Sequence, residues 1–393
     1  MNYIPSKNWW FSWVDWDRNS IAEDLDAIAN LGMDHIRVHC LWPIFQPNPT
    51  YVSSTAVARL VELLELADLA GLDVEVAVLD GWLSGFNFLP AWLEGLNIFT
   101  GRAAIDAEKV LFEVIARSIA HHPRFLGFDL GNELGVVMMK GHPATSTEAD
   151  AWQAELMGHC NELAPGKLHV NGVDHNHWFR DFGFSREALA TQGALTSLHT
   201  WIEFTGARKL FPHSDVGCTH LPEYAIELAK AFHLDNDRKV WIQEIGASAE
   251  WMPKEDLPGY AEATLKSIQS CTGVWAVTWW CSHDLPDHLS GFHPLEYDLG
   301  LLDGQNHPKP MALRIAGMVS DLRGPTDPQS RNEALVVARG ALADQGDPPG
   351  WAFARQFMDS IRGGSNPAIV LEDRAQDEAY LRKRGISKLI WPN

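Results

Sequence analysis

Eight short apolar runs recur along this chain of 393 residues, at 9–14, 35–41, 73–79, 125–130, 167–173, 195–199, 239–243 and 274–280. Most are β-branched or aromatic and are bounded by Gly, Asp, Asn or Pro, which marks them as strands. Continuous apolar runs of this kind suit parallel strands covered by helices. Helix-period segments fill the gaps. Ser20-Ile21-Ala22-Glu23 reads as a capping box, Leu25, Ile28, Ala29 and Leu31 form an apolar face, and Gly32 is the stop. Residues 54–70 repeat the pattern up to Gly71, and 106–120, 147–163, 222–232, 258–269 and 310–322 follow it. Eight strand–helix units predict an α/β fold of the (β/α)8 TIM-barrel type. A doubly wound open sheet is the alternative, but no glycine-rich phosphate turn follows the first run.

The barrel should occupy 1–324, because Gly324-Pro325-Thr326-Asp327-Pro328 reads as a boundary. Residues 325–393 are then a small C-terminal α/β extension packed on the barrel, helix-like at 353–361 and 377–384 and strand-like at 368–372 and 388–391.

The formal charge of −20, from 51 acidic and 31 basic residues, argues against a nucleic-acid partner and an anionic membrane surface. There is no apolar run of membrane-spanning length and no signal-peptide pattern at the N-terminus. Cysteines 40, 160, 218, 271 and 281 are scattered without metal-binding spacing, as in a cytoplasmic protein with reduced thiols. The oligomeric state is left open, a homo-oligomer included.

In a barrel of this kind the functional groups sit at the C-terminal ends of the strands. Those ends carry Arg37, His39 and Trp42; Asp80 and Trp82; Asn132 and Glu133; Asp174, His175 and His177; His199 and Trp201; Glu244; and Trp279, Trp280, His283 and Asp284. The set is rich in hydroxyl-binding groups and poor in phosphate-binding ones. Seventeen tryptophans, several at strand ends, suit a cleft whose indoles stack on sugar rings, although core packing explains many of them. Glu133 and Glu244 end the fourth and seventh runs, so their carboxylates can face each other across the barrel axis. Retaining glycoside hydrolysis needs two carboxyl groups roughly 5–5.5 Å apart, one a proton donor and one a nucleophile.

The segments His35-Ile36-Arg37-Val38, Gly131-Asn132-Glu133, Ser197-Leu198-His199-Thr200-Trp201, Gln243-Glu244-Ile245-Gly246 and Thr278-Trp279-Trp280, in this order, carry a family resemblance. The chain resembles the (β/α)8 retaining glycoside hydrolases, most of all those of family 5, endo-β-mannosidase-like proteins included, over roughly residues 5–322. The resemblance implies a retaining β-glycosidase acting on a small β-glucoside, β-mannoside or oligosaccharide. It implies Glu133 as acid/base, Glu244 as nucleophile, Asn132 at the sugar 2-hydroxyl and Arg37 beside Glu244. His199, Trp279, Trp82, Asp80 and His175 are further candidates for substrate binding. Trp201 stands where the family often has tyrosine; either its indole N–H replaces that donor to the nucleophile, or, as favoured here, another side chain does and Trp201 is a stacking platform.

No cofactor and no metal are expected. Asp174-His175-Asn176-His177 invites a metal reading, but no further ligand pattern completes it. A transglycosylase using the same glutamates, a carbohydrate-binding protein without catalysis, and a metal-dependent TIM-barrel hydrolase or isomerase are the alternatives.

Overall fold

A computed structural model describes residues 1–324 and 331–391. Twelve strands are formed in chain order: β1 His35–Leu41, β2 Asp73–Asp80, β3 Trp82–Leu83, β4 Phe86–Asn87, β5 Phe125–Asn132, β6 Val170–Gly172, β7 Thr196–His199, β8 Val240–Ile245, β9 Val274–Trp279, β10 Glu333–Val337, β11 Ala368–Leu371 and β12 Lys388–Ile390. Two parallel arcs, β1-β2-β5-β6 and β7-β8-β9, make up most of one barrel wall. They join where Ala194 N–H reaches the His169 carbonyl at 2.8 Å and Ser197 Oγ the Asn171 carbonyl.

The remaining stave is residues 1–3. Arg37 and Tyr3 exchange backbone bonds with Met1 and Arg37 at 2.9 Å, and Asn2 N–H reaches the Trp279 carbonyl at 2.9 Å. This segment lies between β1 and β9 and closes a (β/α)8 barrel. The expectation of a first strand at 9–14 is corrected: Trp9–Trp13 is a 3-10 turn. Asn8 and Trp9 take left-handed backbones, φ 63° and 50°, which an extended strand does not allow. The tryptophans instead stack face to face, Trp10 on Trp13 at 5.9 Å and Trp13 on Trp16 at 5.7 Å. The first helix begins at Arg18, capped by Asp17, whose side chain accepts from Asn19 and Ser20 N–H; the capping box expected at Ser20 is not formed. A complete one, Thr145 with Glu148, opens Ser146–Leu163.

β1 is buried along its whole length, and the helices cover the outer face of the wall. No described helix is long and apolar enough to cross a membrane. After residue 331, β11-β10-β12 form a small parallel sheet. The helix Trp351–Arg362 lies in the hydrophobic cluster that fills the barrel, with Trp351 Nε1 donating to the Thr205 carbonyl at 2.7 Å. Arg331 and Arg384 reach Glu223 and Glu227 of the helix Leu221–Phe232, buried at every residue but Lys230, at 2.7 and 3.0 Å. The expected boundary at 325–328 lies outside the described residues.

Candidate active site

β5 ends at Asn132 and the chain turns at once into the helix Leu134–Met139. Glu133 makes that turn in a left-handed conformation, φ 47° and ψ 49°. For a non-glycine residue this costs roughly 1–2 kcal/mol, and strain of that kind gathers at working sites. The Glu133 N–H is fixed on the Gly172 carbonyl at 2.7 Å.

Glu244, near the end of β8, points inward to Arg37 of β1. The guanidinium donates from Nη1 to Glu244 Oε1 at 2.6 Å, from Nη2 to Asp129 Oδ2 at 2.6 Å and from Nε to the same oxygen at 3.0 Å. Nη2 also reaches Asn132 Oδ1 at 2.9 Å. Gly172 makes room for this pair, since a Cβ there would lie 2.4 Å from Asp129 Oδ2 and 2.7 Å from Arg37 Nη2. Burial works against the Arg37 cation, but Asp129 and Glu244 outweigh it and hold the group above its ordinary range. Deleting one partner of such a buried pair leaves the other uncompensated, at a cost of about 3–5 kcal/mol.

His199, at the end of β7, links the two glutamates. Its Nδ1 is 3.0 Å from Glu133 Oε1 and 3.3 Å from Glu244 Oε2. Its Nε2 faces Gln243 Oε1 at 3.2 Å. The Gln243 amide nitrogen donates to Glu75 and Asp129 at 3.1 Å, so its oxygen is the acceptor and His199 Nε2 carries a proton. The two carboxyls then diverge. Burial pushes Glu133 up to about 7, with the His199 hydrogen bond opposing and the Glu244 charge adding. Burial opposes ionisation of Glu244 too, but His199 and Arg37 outweigh it and hold that carboxyl below its ordinary value. One carboxyl ready to donate a proton beside one kept ionised is the division of labour of an acid and a nucleophile.

The two glutamates open into a cleft of about 330 Å³ walled by Trp82, Ser84, Asn132, Asp174, His175, Asn176, Trp201, Phe204, Trp280, His293 and Glu296. This is at the lower end of the roughly 300–1,000 Å³ of small-molecule sites.

No protein-family model matches the chain, and no curated protein does. Solved structures do. GH5_18 from Streptomyces cattleya, in complex with Manb1-4GlcNAc, is 36% identical over 100% of this chain and 98% of its own, with a TM-score of 0.94. A GH5_18 from Bifidobacterium longum subsp. infantis is 32% identical over 100% and 95%, with a TM-score of 0.93. This chain belongs to the GH5_18 glycoside hydrolases. The exo-beta-1,4-mannosidase Op5Man5 from Opitutaceae bacterium strain TAV5 shares the fold, with a TM-score of 0.80 at 22% identity over 100% of this chain and 72% of that one.

In this GH5_18 chain, Glu133, Glu244, Asn132, Trp82, His175 and Trp201 all line the cleft. Arg37, which sits beside Glu244 as the resemblance implies, and His199 and Asp80, expected at substrate, do not line the cleft. All three are buried outside the cleft wall, on pleat positions that face the barrel interior below its rim. Asp80 accepts from Asn132 N–H at 3.0 Å and contacts His39 Nδ1 at 2.9 Å, so it supports the end of β5. Trp279 is corrected as well. It packs outward among Ile315, Leu322 and Leu265 of the covering helices, and Trp280, one residue on, takes the cleft position. Of the two alternatives for Trp201 the structure shows the first, since its Nε1 donates to Glu244 Oε2 at 3.0 Å. Burial pushes His175 down to about 4, which leaves it neutral near pH 7. Lys140 lies 4.3 Å from the Trp82 ring centre and takes up part of that indole.

Sequence reasoning missed Glu296 and Ser84, and beneath the site Asp129 and Glu75. The buried pair carried a signal, each being a charge with apolar neighbours on both sides inside a strand run. Glu296 carried none, because it lies in a loop well past β9. Glu133, His199 and Glu244 are also the group among the described residues that could hold a metal ion, with one donor atom from each within 4.8 Å of the others. The His199 Nε2 is engaged by Gln243, so only Nδ1 could bind an ion, and a metal there would displace both carboxylates from it.

Proposed function

We propose that this GH5_18 chain is a retaining β-mannosidase that removes the terminal mannose of short Manβ1-4GlcNAc-type sugars. The observation that carries the mechanism is the spacing of the two carboxylates. One oxygen of Glu133 and one of Glu244 lie within 4.8 Å of each other. That spacing suits the retaining class, whose carboxyl groups stand roughly 5–5.5 Å apart against roughly 6.5–9.5 Å in inverting enzymes. The complex of the Streptomyces cattleya enzyme supports the sugar.

In the first step Glu244 attacks the anomeric carbon while Glu133 gives its proton to the departing glycosidic oxygen. The C–O bond to the second sugar breaks and a glycosyl ester forms on Glu244. Esterification removes the Glu244 charge that helped to raise Glu133. Glu133, now a carboxylate, takes a proton from water, which attacks the same carbon and frees Glu244. Asn132, its Oδ1 held by Arg37, presents its amide to the 2-hydroxyl. All five cysteines are unpaired, which fits a cytoplasmic enzyme acting on imported disaccharides.

Incubation with Manβ1-4GlcNAc should yield mannose and GlcNAc in equal amounts, with 4-nitrophenyl β-mannoside cleaved faster than the β-glucoside. Preference for the glucoside, or internal cleavage of a long mannan without release of mannose, would contradict the assignment.

A further inference from the structure

The cleft holds a third carboxylate that the double displacement does not use. Glu296 sits on the turn Pro294–Tyr297, held by its own N–H on the His293 carbonyl at 3.0 Å and by Leu285 N–H on its carbonyl at 3.2 Å. Among the described residues its side chain has one partner, Ser84 Oγ, which donates to Oε2 at 3.0 Å, and no cation lies within 4 Å of it. Ser84 is itself unusual. It and Gly85 join β3 to β4 with φ 49° and 88°, a tight turn whose first position Asn or Gly fills at less cost. A serine there brings a hydroxyl to Glu296.

The surroundings make this a fixed wall. Phe86 of the hairpin packs on Phe292 of the loop at 4.8 Å, and Trp9 touches Phe292 and Phe88 at 5.1 and 5.5 Å. Gly85 lies against His293, where even a Cβ would come within 3.0 Å of the ring. The hairpin and the loop thus meet at the cleft wall that carries Ser84, His293 and Glu296. Glu296 follows β9, which pairs with β8 and its Glu244, whereas Glu133 follows β5 in the other arc, and this places Glu296 on the nucleophile's side of the proton donor. Glu133 has to face the oxygen of the departing sugar, so the opposite side is where the transferred sugar lies. Burial pushes Glu296 up to about 7; in its ionised form, with no cation beside it among the described residues, it accepts from a pair of hydroxyl donors.

We propose that Glu296 is a substrate-binding residue that selects the transferred sugar, its carboxylate accepting hydrogen bonds from two neighbouring hydroxyls, with Ser84 as the positioning residue that aims it. This rests on the glycosidase reading above and adds a recognition element.

The test uses 4-nitrophenyl β-mannosides lacking the hydroxyl at C3, C4 or C6 in turn, with the wild-type protein and with Glu296→Ala, Glu296→Gln and Ser84→Ala. Losing a hydroxyl that donates to a charged group should lower wild-type kcat/KM by about 10- to 100-fold. Glu296→Ala should lower activity on the parent mannoside by a similar factor and abolish the penalty at two neighbouring positions. Glu296→Gln guards against a folding defect and should weaken the same two penalties, and Ser84→Ala should shrink those two more than the penalty at the third position. Penalties that all persist in Glu296→Ala, with only the pH profile displaced, would reduce Glu296 to an electrostatic neighbour and overturn the proposal. A wild-type enzyme inactive on the parent mannoside would instead overturn the substrate assignment, and the deoxy series of whichever glycoside it does cleave would then decide on Glu296 by the same criterion.

Discussion

Glu244→Gln is expected to lower kcat/KM on 4-nitrophenyl β-mannoside by roughly 10⁴- to 10⁶-fold, the scale on which removal of a covalent nucleophile acts. Glutamine has the shape of glutamate but cannot form a stable glycosyl ester. The fold should survive the change, because Arg37 keeps Asp129 as its ion partner through two hydrogen bonds at 2.6 and 3.0 Å. The amide oxygen can still accept from Arg37 or from the Trp201 indole, the two donors that now hold Glu244 at 2.6 and 3.0 Å. A circular-dichroism melt beside the kinetics separates lost chemistry from lost structure. Activity within about tenfold of wild type in a folded Glu244→Gln protein would remove Glu244 from the mechanism.

The second large effect depends on the leaving group. Glu133→Ala should lower hydrolysis of Manβ1-4GlcNAc by about 10²- to 10⁴-fold, the usual worth of general acid–base assistance. A dinitrophenyl mannoside needs no proton on departure, so its first step should survive and its second should stall. Azide, which needs no general base, should then restore turnover and give β-mannosyl azide with the configuration of the substrate. The pH profile carries the same information. Glu133 acts in its protonated form and its pKa is raised to about 7, so wild-type kcat/KM should fall as pH rises through about 7. That descending limb should be absent in Glu133→Ala. Azide product of inverted configuration, or a limb that persists in the variant, would assign the proton donor to another group.

Much of this arrangement was legible because strand ends in a (β/α)8 barrel all meet at one mouth. Seven of the eight runs formed strands at or within a few residues of their expected places, and Asn132, Glu133 and Glu244 followed from them. The first run failed because aromatic content does not distinguish a strand from a turn packed by its own indoles, as Trp9–Trp13 is. The true first stave, residues 1–3, is too short to leave any periodicity. Trp279 and Trp280 were both placed at the strand end, and Trp279 was taken for the binding residue, because one step along a strand reverses the direction of the side chain and the sequence does not show which of the two faces inward. Trp201 was underrated because its position shows an indole ring but not where the N–H points. Glu296 and Ser84 lie in different loops, and only folding brings them to 3.0 Å.

The central claim is a covalent mannosyl–enzyme on Glu244. Incubation with 2-deoxy-2-fluoro-β-mannosyl fluoride, followed by intact mass and peptide mapping, tests it most directly. The expected result is one fluoromannosyl group per chain, carried by the peptide that contains Glu244 and lost again when an acceptor sugar is added. A label on any other carboxylate, or no label together with product of inverted configuration from Manβ1-4GlcNAc, would contradict it.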